Sequence, residues 1–324
     1  MRRLLPLTLL LALAVPAAPA AAQNPWLERR VLNIAHQGGE DEFPSNTLYA
    51  FKKAVKAGAD MLELDVGVTS DGKLVVSHDT TLDRTTSGRG TIASRTLKQI
   101  RKLDAAYWFA RGGDDAYAHD RPRRAYRFRG IATGRKRPPS GFTRRDFRVP
   151  TLQEVMRAFP RTPINIEIKG RTRAEATAEY VRNAEVLAAA LDNTARRDLI
   201  VASFVQAAVD RFHALAPAIA VAPGVDGAAA FLLGGGSPGD GVVAFQLPIT
   251  YEFGGQVLDV TTESNVARAH AAGYAWHTWL SNDGESPATW RQLIDWCVDG
   301  VMTARPAAFE AVLRDHAAPG TCAS

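Results

Sequence analysis

Glu63 and Asp65 stand two residues apart in Met61-Leu62-Glu63-Leu64-Asp65-Val66. On an extended strand that spacing puts both carboxylates on one face and Leu62, Leu64 and Val66 on the other. The pattern recurs in Ile164-Asn165-Ile166-Glu167-Ile168-Lys169, where Asn165, Glu167 and Lys169 share a face opposite three isoleucines. One such pair alone reads as ordinary solvated or salt-bridged carboxylates. Two strands with apolar opposite faces favour convergence of Glu63, Asp65 and Glu167 on a common axis. Carboxylates so gathered repel unless a cation intervenes, and an all-oxygen set suits one hard divalent ion, Ca2+ or Mg2+.

His36 follows a short apolar strand candidate, Val31–Ala35, and His78 ends another, Lys73–His78. A lone histidine at a strand end is more often a structural hydrogen bonder. Two of them near three carboxylates suit an acid/base couple beside a metal, since imidazole takes or gives a proton near neutral pH.

Positioning these groups requires several strands with a common direction. Of 324 residues, 46% are hydrophobic and 23% charged, close to a globular average, which excludes disordered, collagen-like and coiled-coil classes. Further strand candidates are Ile200–Phe204, Ile219–Ala222, Val242–Leu247, Tyr274–Leu280 and Gly300–Met302. Helical stretches separate most of them: 48–55 ending at Gly58, Thr151–Phe159, Arg173–Leu191, Val205–Leu215, Ser264–Ala272 and Ala288–Trp296. Eight or nine strands alternating with helices predict an α/β fold, a (β/α)8 TIM barrel occupying 23–324. A doubly wound sheet is the alternative, but no G-x-G-x-x-G follows the first strand.

One segment breaks the alternation, an insertion at about 80–149 in the loop after the third strand. Residues 105–148 hold 12 Lys/Arg against 4 Asp, while the whole chain is +5, so the basic character belongs to this insertion. It reads either as a solvated excursion or as a cationic cover over the barrel mouth that draws in anionic substrates. No nucleic-acid motif accompanies the charge. Residues 1–22 read as a signal peptide: Arg2 and Arg3, the apolar run Leu4–Val15, then small residues before Gln23. Secretion is therefore expected, with no transmembrane segment after cleavage. In that setting Cys297 and Cys322 either pair or stay free.

The motifs resemble, in order, those of the glycerophosphodiester phosphodiesterase family. They are Ile34-Ala35-His36-Gln37-Gly38, Pro44-Ser45-Asn46-Thr47, the block 58–66, Thr69-Ser70-Asp71-Gly72, Val75-Val76-Ser77-His78-Asp79 and Asp83-Arg84-Thr85-Thr86. Pro150-Thr151-Leu152-Gln153-Glu154-Val155, Ile166-Glu167-Ile168-Lys169, Ser203-Phe204, Trp279 with Asn282, and the block 298–303 continue it. The resemblance spans about residues 31–306. It implies a TIM barrel that uses a divalent metal to hydrolyse glycerophosphodiesters to sn-glycerol 3-phosphate and an alcohol. By motif, His36 and His78 match the catalytic pair, and Glu63, Asp65 and Glu167 the metal ligands. Lys169 matches a phosphate-facing lysine, or forms a salt bridge to Glu167; Trp279 matches an aromatic wall of the glycerol pocket.

The family usually carries Arg where this chain has Gln37 and Glu where it has Ser45, so a cation and an anion are lost together. Gln37, a substrate-binding position by motif, offers phosphate only neutral hydrogen bonds. Ala304 stands where an Asp often precedes the closing Pro. Two other readings follow: a phospholipase D-like enzyme of the same barrel acting on lysolipids or sphingolipids, and a noncatalytic phosphodiester-binding protein.

Overall fold

The computed structural model describes residues 24–27, 30–112, 115–171, 174, 176–280, 284–319 and 322. The expected signal peptide, Arg173 and Asn282 lie outside the described residues. In chain order the elements are β1 (Leu32–Ala35), α1 (Leu48–Ala57), β2 (Met61–Val68), β3 (Leu74–Val76), α2 (Leu97–Ile100), α3 (Leu152–Ala158) and β4 (Ile164–Ile168). Then come α4 (Thr177–Leu191), β5 (Leu199–Ala202), α5 (Gln206–Leu215), β6 (Ala220–Val221), α6 (Val225–Gly234), β7 (Ala244–Leu247), β8 (Thr250–Phe253) and β9 (Gln256–Asp259). The chain ends with α7 (Glu263–Ala271), β10 (Ala275–Trp279), α8 (Pro287–Asp295), β11 (Gly300–Thr303) and α9 (Pro306–Asp315).

Parallel strands run in the order β6-β5-β4-β2-β1-β11-β10-β7. A parallel bridge between Val221 and Val242 joins the two ends of that series and closes the barrel. The alternation read in β2 and β4 is realised. Leu62, Leu64, Val66 and the three isoleucines of β4 pack outward against Val155, Leu187 and Val209 of the surrounding helices. Trp26 packs with Leu32, Met61, Ala244 and Ala275, all at the amino ends of their strands, and so fills that end of the barrel. Asn24 fastens the plug by donating to the carbonyls of Val243 (2.6 Å) and Gly273 (3.0 Å).

The third strand is not a stave of the barrel. β3 pairs antiparallel with β2, Val66 opposite Val76 and Val68 opposite Leu74. The link Thr69-Ser70-Asp71-Gly72 is a tight turn with Gly72 at φ 70°, and a turn that short joins only antiparallel strands; parallel neighbours need a crossover. The insertion therefore grows from a hairpin arm on β2. It is also no loose excursion. Phe128, Phe142 and Phe147 pack on Tyr49 of α1, and Val75, Leu82, Ile92, Ile100 and Val149 form a second small core. Arg129 lies over the rings of Tyr107, Trp108 and Tyr126 at 4.2, 4.5 and 3.9 Å, where cation–π attraction adds to packing. Cys297 and Cys322 form a disulfide, which closes that alternative.

Candidate active site

His36 leaves β1 into a tight turn in which Gln37, Gly38 and Gly39 all adopt positive φ (50°, 81° and 89°). Space as well as φ demands glycine here: a Cβ on Gly38 would lie 2.9 Å from Phe51 Cδ1, and one on Gly39 would lie 2.7 Å from Pro306 Cδ. The turn aims the Gln37 N–H at Glu63 Oε2, 2.7 Å away. Gln37's own side chain is buried and accepts a long hydrogen bond from Asn46 Nδ2 at 3.4 Å, so it does not form part of the cavity wall described below.

The register of β2 against β4 sets Asp65 beside Glu167 and Glu63 beside Asn165. Glu63, Asp65 and Glu167 each offer an oxygen within 4.8 Å of the others, and Glu63 and Asp65 are buried. Burial, with Asp65 and Glu167 adding to it, raises the Glu63 carboxyl well above its ordinary value. Asp65 is also buried, but Lys169, His78, His36 and a 2.9 Å bond from Asn46 outweigh that and hold it below its usual range. Lys169 Nζ lies 2.6 Å from Glu167 Oε1 and 3.3 Å from Asp65 Oδ1. Asp65 Oδ1 accepts no hydrogen bond despite its burial. An all-oxygen trio with mutual repulsion, in which buried Asp65 Oδ1 has only the Lys169 ion pair, fits a hard cation.

His36 Nδ1 meets Glu40 Oε1 at 2.5 Å, and Nε2 faces Glu63 at 3.9 Å. Burial disfavours its charge, but Glu40, Glu63 and Asp65 prevail and push the imidazole up to about 10. His78 Nδ1 pairs with Asp79 Oδ1 at 2.8 Å. Arg84 grips Asp79 through Nε (2.7 Å) and Nη2 (3.2 Å). In both histidines Nδ1 is engaged and Nε2 is the remaining nitrogen. His36, His78, Glu167, Lys169 and Trp279 line one cavity of about 620 Å3. Phe204 stands between the last two, its ring 5.8 Å from Lys169 Nζ and 6.1 Å from the Trp279 ring centre. No described lining residue comes from the basic stretch 105–148.

Sequence reasoning missed the residues that hold the site together: Glu40 on His36, Asp79 and Arg84 on His78, and Asn46 on Asp65. The i,i+4 spacing of His36 and Glu40 and the adjacency of His78 and Asp79 were visible signals. Ser45, Asn46 and Thr47, which precede α1, are all residue types that cap helices. The cap is Thr47, which accepts from the Ala50 N–H at 3.1 Å, and Asn46 turns to φ 54° and bonds Asp65 instead.

A barrel with acidic side chains and two imidazoles at the carboxyl end of its strands is the layout of a (β/α)8 enzyme. The glycerophosphoryl diester phosphodiesterase family matches residues 36–308. A glycerophosphodiester phosphodiesterase of Bacillus subtilis is 30% identical over 321 residues, 96% of each chain. Among solved structures, a phosphodiesterase domain from Mycobacterium tuberculosis superposes with TM-score 0.62 at 20% identity, over 89% of this chain and 100% of that one. A phosphodiesterase of Oleispira antarctica, solved with sn-glycerol 3-phosphate, gives 0.59 at 22% identity over 87% and 96%. The chain belongs to the glycerophosphoryl diester phosphodiesterase family.

Proposed function

We propose that this enzyme hydrolyses glycerophosphodiesters to sn-glycerol 3-phosphate and an alcohol, with His36 and His78 as the proton-transfer pair. The observation that carries the reading is the convergence of Glu63, Asp65 and Glu167 within 4.8 Å, with Glu167 and both imidazoles lining one cavity. Glu63, Asp65 and Glu167 would hold one divalent cation, Ca2+ or Mg2+, which supplies positive charge against the negative charge that develops at phosphorus. With Glu63 and Asp65 so neutralised, two of the three carboxylates that keep a proton on His36 would be cancelled, and its Nε2 would be able to accept one. His36 then takes the proton of the glycerol 2-hydroxyl as that oxygen attacks phosphorus, and His78 protonates the departing alcohol. Water opens the resulting cyclic phosphate with the two roles exchanged. Lys169, balanced by Glu167 and Asp65, faces the phosphate, and Trp279 flanks the glycerol. Purified chain assayed on glycerophosphocholine against Ca2+, Mg2+ and chelator tests this. Metal-dependent release of sn-glycerol 3-phosphate is expected. Binding without turnover under every metal would identify a noncatalytic binder.

We further propose export through a cleaved leader at residues 1–22. The Cys297–Cys322 disulfide supports it, since such pairs persist in oxidising compartments. Amino-terminal sequencing of the extracellular product should begin near Gln23.

A further inference from the structure

The positive charge of the insertion is not spent at the cavity, whose described wall takes no residue from 105–148. Nor is it all spent internally. Arg111 and Arg145 pair with Glu42 and Glu154, Arg121 caps loop carbonyls, and Arg129 stacks on its three rings. That leaves Arg123, Arg124, Arg127, the run Arg135-Lys136-Arg137 and Arg144, all exposed and without an acidic partner among the described residues. These cations adjoin. Lys136 Nζ donates to the Arg127 carbonyl. The Arg135 and Lys136 N–H groups both donate to the Gly130 carbonyl, at 2.8 and 3.1 Å, and a Cβ on Gly134 would lie 2.6 Å from Arg144 Nη1. Between them Tyr126 and Ile131 are buried, and Phe128 and Phe142 pack on Tyr49 of α1. The charges therefore stand on a packed platform. The exposed large hydrophobics among the described residues, Phe204, Leu215, Leu233 and Val257, all lie outside it.

We infer that this face docks the enzyme on an anionic phospholipid bilayer. Charge and chemistry select that partner. A free glycerophosphodiester carries a single phosphate, which a cluster of cations outside the cavity does not serve. A bilayer offers many phosphates in one plane, and the guanidinium fork of Arg, the commonest cation here, pairs with two phosphate oxygens at once. With no large apolar side chain projecting from the platform, the contact is peripheral and electrostatic, worth about fivefold in partition per cation. A glycerophosphodiester is also what remains when both acyl chains are hydrolysed from a glycerophospholipid, so the reaction that supplies it is a deacylation at a lipid surface. The platform continues the arm that carries His78, and docking through it holds the cavity where that product is released.

The test is co-sedimentation of the purified chain with vesicles of phosphatidylcholine alone and of phosphatidylcholine mixed with phosphatidylglycerol. Binding to the mixed vesicles only is expected in about 0.1 M salt, with release in about 1 M, where the screening length falls from about 10 to about 3 Å. Arg135→Gln/Lys136→Gln/Arg137→Gln should weaken binding about 100-fold and Arg123→Gln/Arg124→Gln about 20-fold. Both variants should keep the native circular dichroism and native turnover of soluble glycerophosphocholine. Removing three exposed arginines elsewhere, by Arg197→Gln/Arg211→Gln/Arg314→Gln, should leave binding within about twofold. Equal weakening by that control reduces the effect to net charge and overturns the inference. Equal binding to both vesicle types, or binding that survives high salt, overturns it because the contact is then apolar. Retention on polyphosphate beads without binding to mixed vesicles overturns it in favour of a soluble polyanion, and no binding to either leaves only a solvated face.

Discussion

The two imidazoles reach one cavity from different foundations. His36 is part of the barrel: it follows β1 directly, the left-handed turn fixes its backbone, and Glu40 and Glu63 flank its ring. His78 stands on the β3 arm outside the ring of staves. Asp79 orients it, Arg84 clamps Asp79 and lies 5.1 Å over the Tyr117 ring, and the buried Tyr117 hydroxyl accepts the Ser45 N–H at 2.5 Å. Charge differs as well. Around His36 negative charge is in excess, with Glu40, Asp41, Glu63 and Glu285 crowded together. Around His78 each charge has a partner, and Asp79, despite burial, is held below its usual range by His78 and Arg84. The barrel thus builds a field that needs a cation, while the β3 arm delivers a histidine whose counter-ion Asp79 is gripped by Arg84 of the insertion.

Replacing either imidazole should produce the largest effect. His36→Ala and His78→Ala are each expected to lose about 10²–10⁴-fold in kcat. Their stabilities should differ. His78 is more than a third exposed at its side chain, so its removal leaves little behind. His36→Ala leaves Glu40 and buried Glu63 facing each other without the imidazolium, and its metal-free form should unfold at lower denaturant. Chelated proteins compared by urea titration check this; equal midpoints would erase the contrast.

The opposite charge balances predict opposite responses to pH. Burial pushes Glu285 up to about 7, with Glu40 and Asp41 adding to it, despite hydrogen bonds from Thr303 and the Ala304 N–H. Its ordinary value is 4.5, so between there and about 7 the folded state binds more protons than the unfolded chain. Stability falls as pH rises through that window. For Asp79 the folded value is lowered, so its contribution is present above the unfolded value of 3.8 and is lost as pH falls below it. Glu285→Gln should flatten the loss between about pH 5 and about pH 7, by up to about 3 kcal/mol. Asp79→Asn should leave that slope and remove the acid-side loss. The slopes are the readout, because Glu285→Gln also disturbs the bond from Trp290 Nε1.

The same division explains what was legible in the sequence. Strand periodicity in β2 and β4 exposed Glu63, Asp65 and Glu167 because one face had to be apolar against helices. The barrel followed from strand and helix alternation, and the family motifs cover His36 and His78. The β3 arm was misread as a stave because a three-residue apolar strand looks the same parallel or antiparallel; only the short turn before it tells. The insertion's aromatic packing and the Tyr117 contact to Ser45 join residues far apart in sequence. Such pairings carry no local period, so composition displayed the charge of residues 105–148 but not that Arg129 is spent on stacking.

Smaller effects should separate the two foundations further. Asp79→Asn keeps an acceptor for His78 but breaks the paired grip of Arg84, and kcat should fall by roughly tenfold with KM within about twofold. Tyr117→Phe is subtler still. Burial pushes this phenol up to about 12, so the hydroxyl is neutral and serves as an acceptor. Removing it strands the Ser45 N–H, which costs about 1–3 kcal/mol when buried. Ser45 sits in the segment that leads to Asn46 and the α1 cap, so the loss reaches the Asp65 side as well as Arg84. If the insertion only carries His78, Tyr117→Phe should lower kcat without weakening Ca2+ or Mg2+ binding. If it also braces the barrel rim, both should weaken together, and metal titration by calorimetry beside the kinetics distinguishes the two.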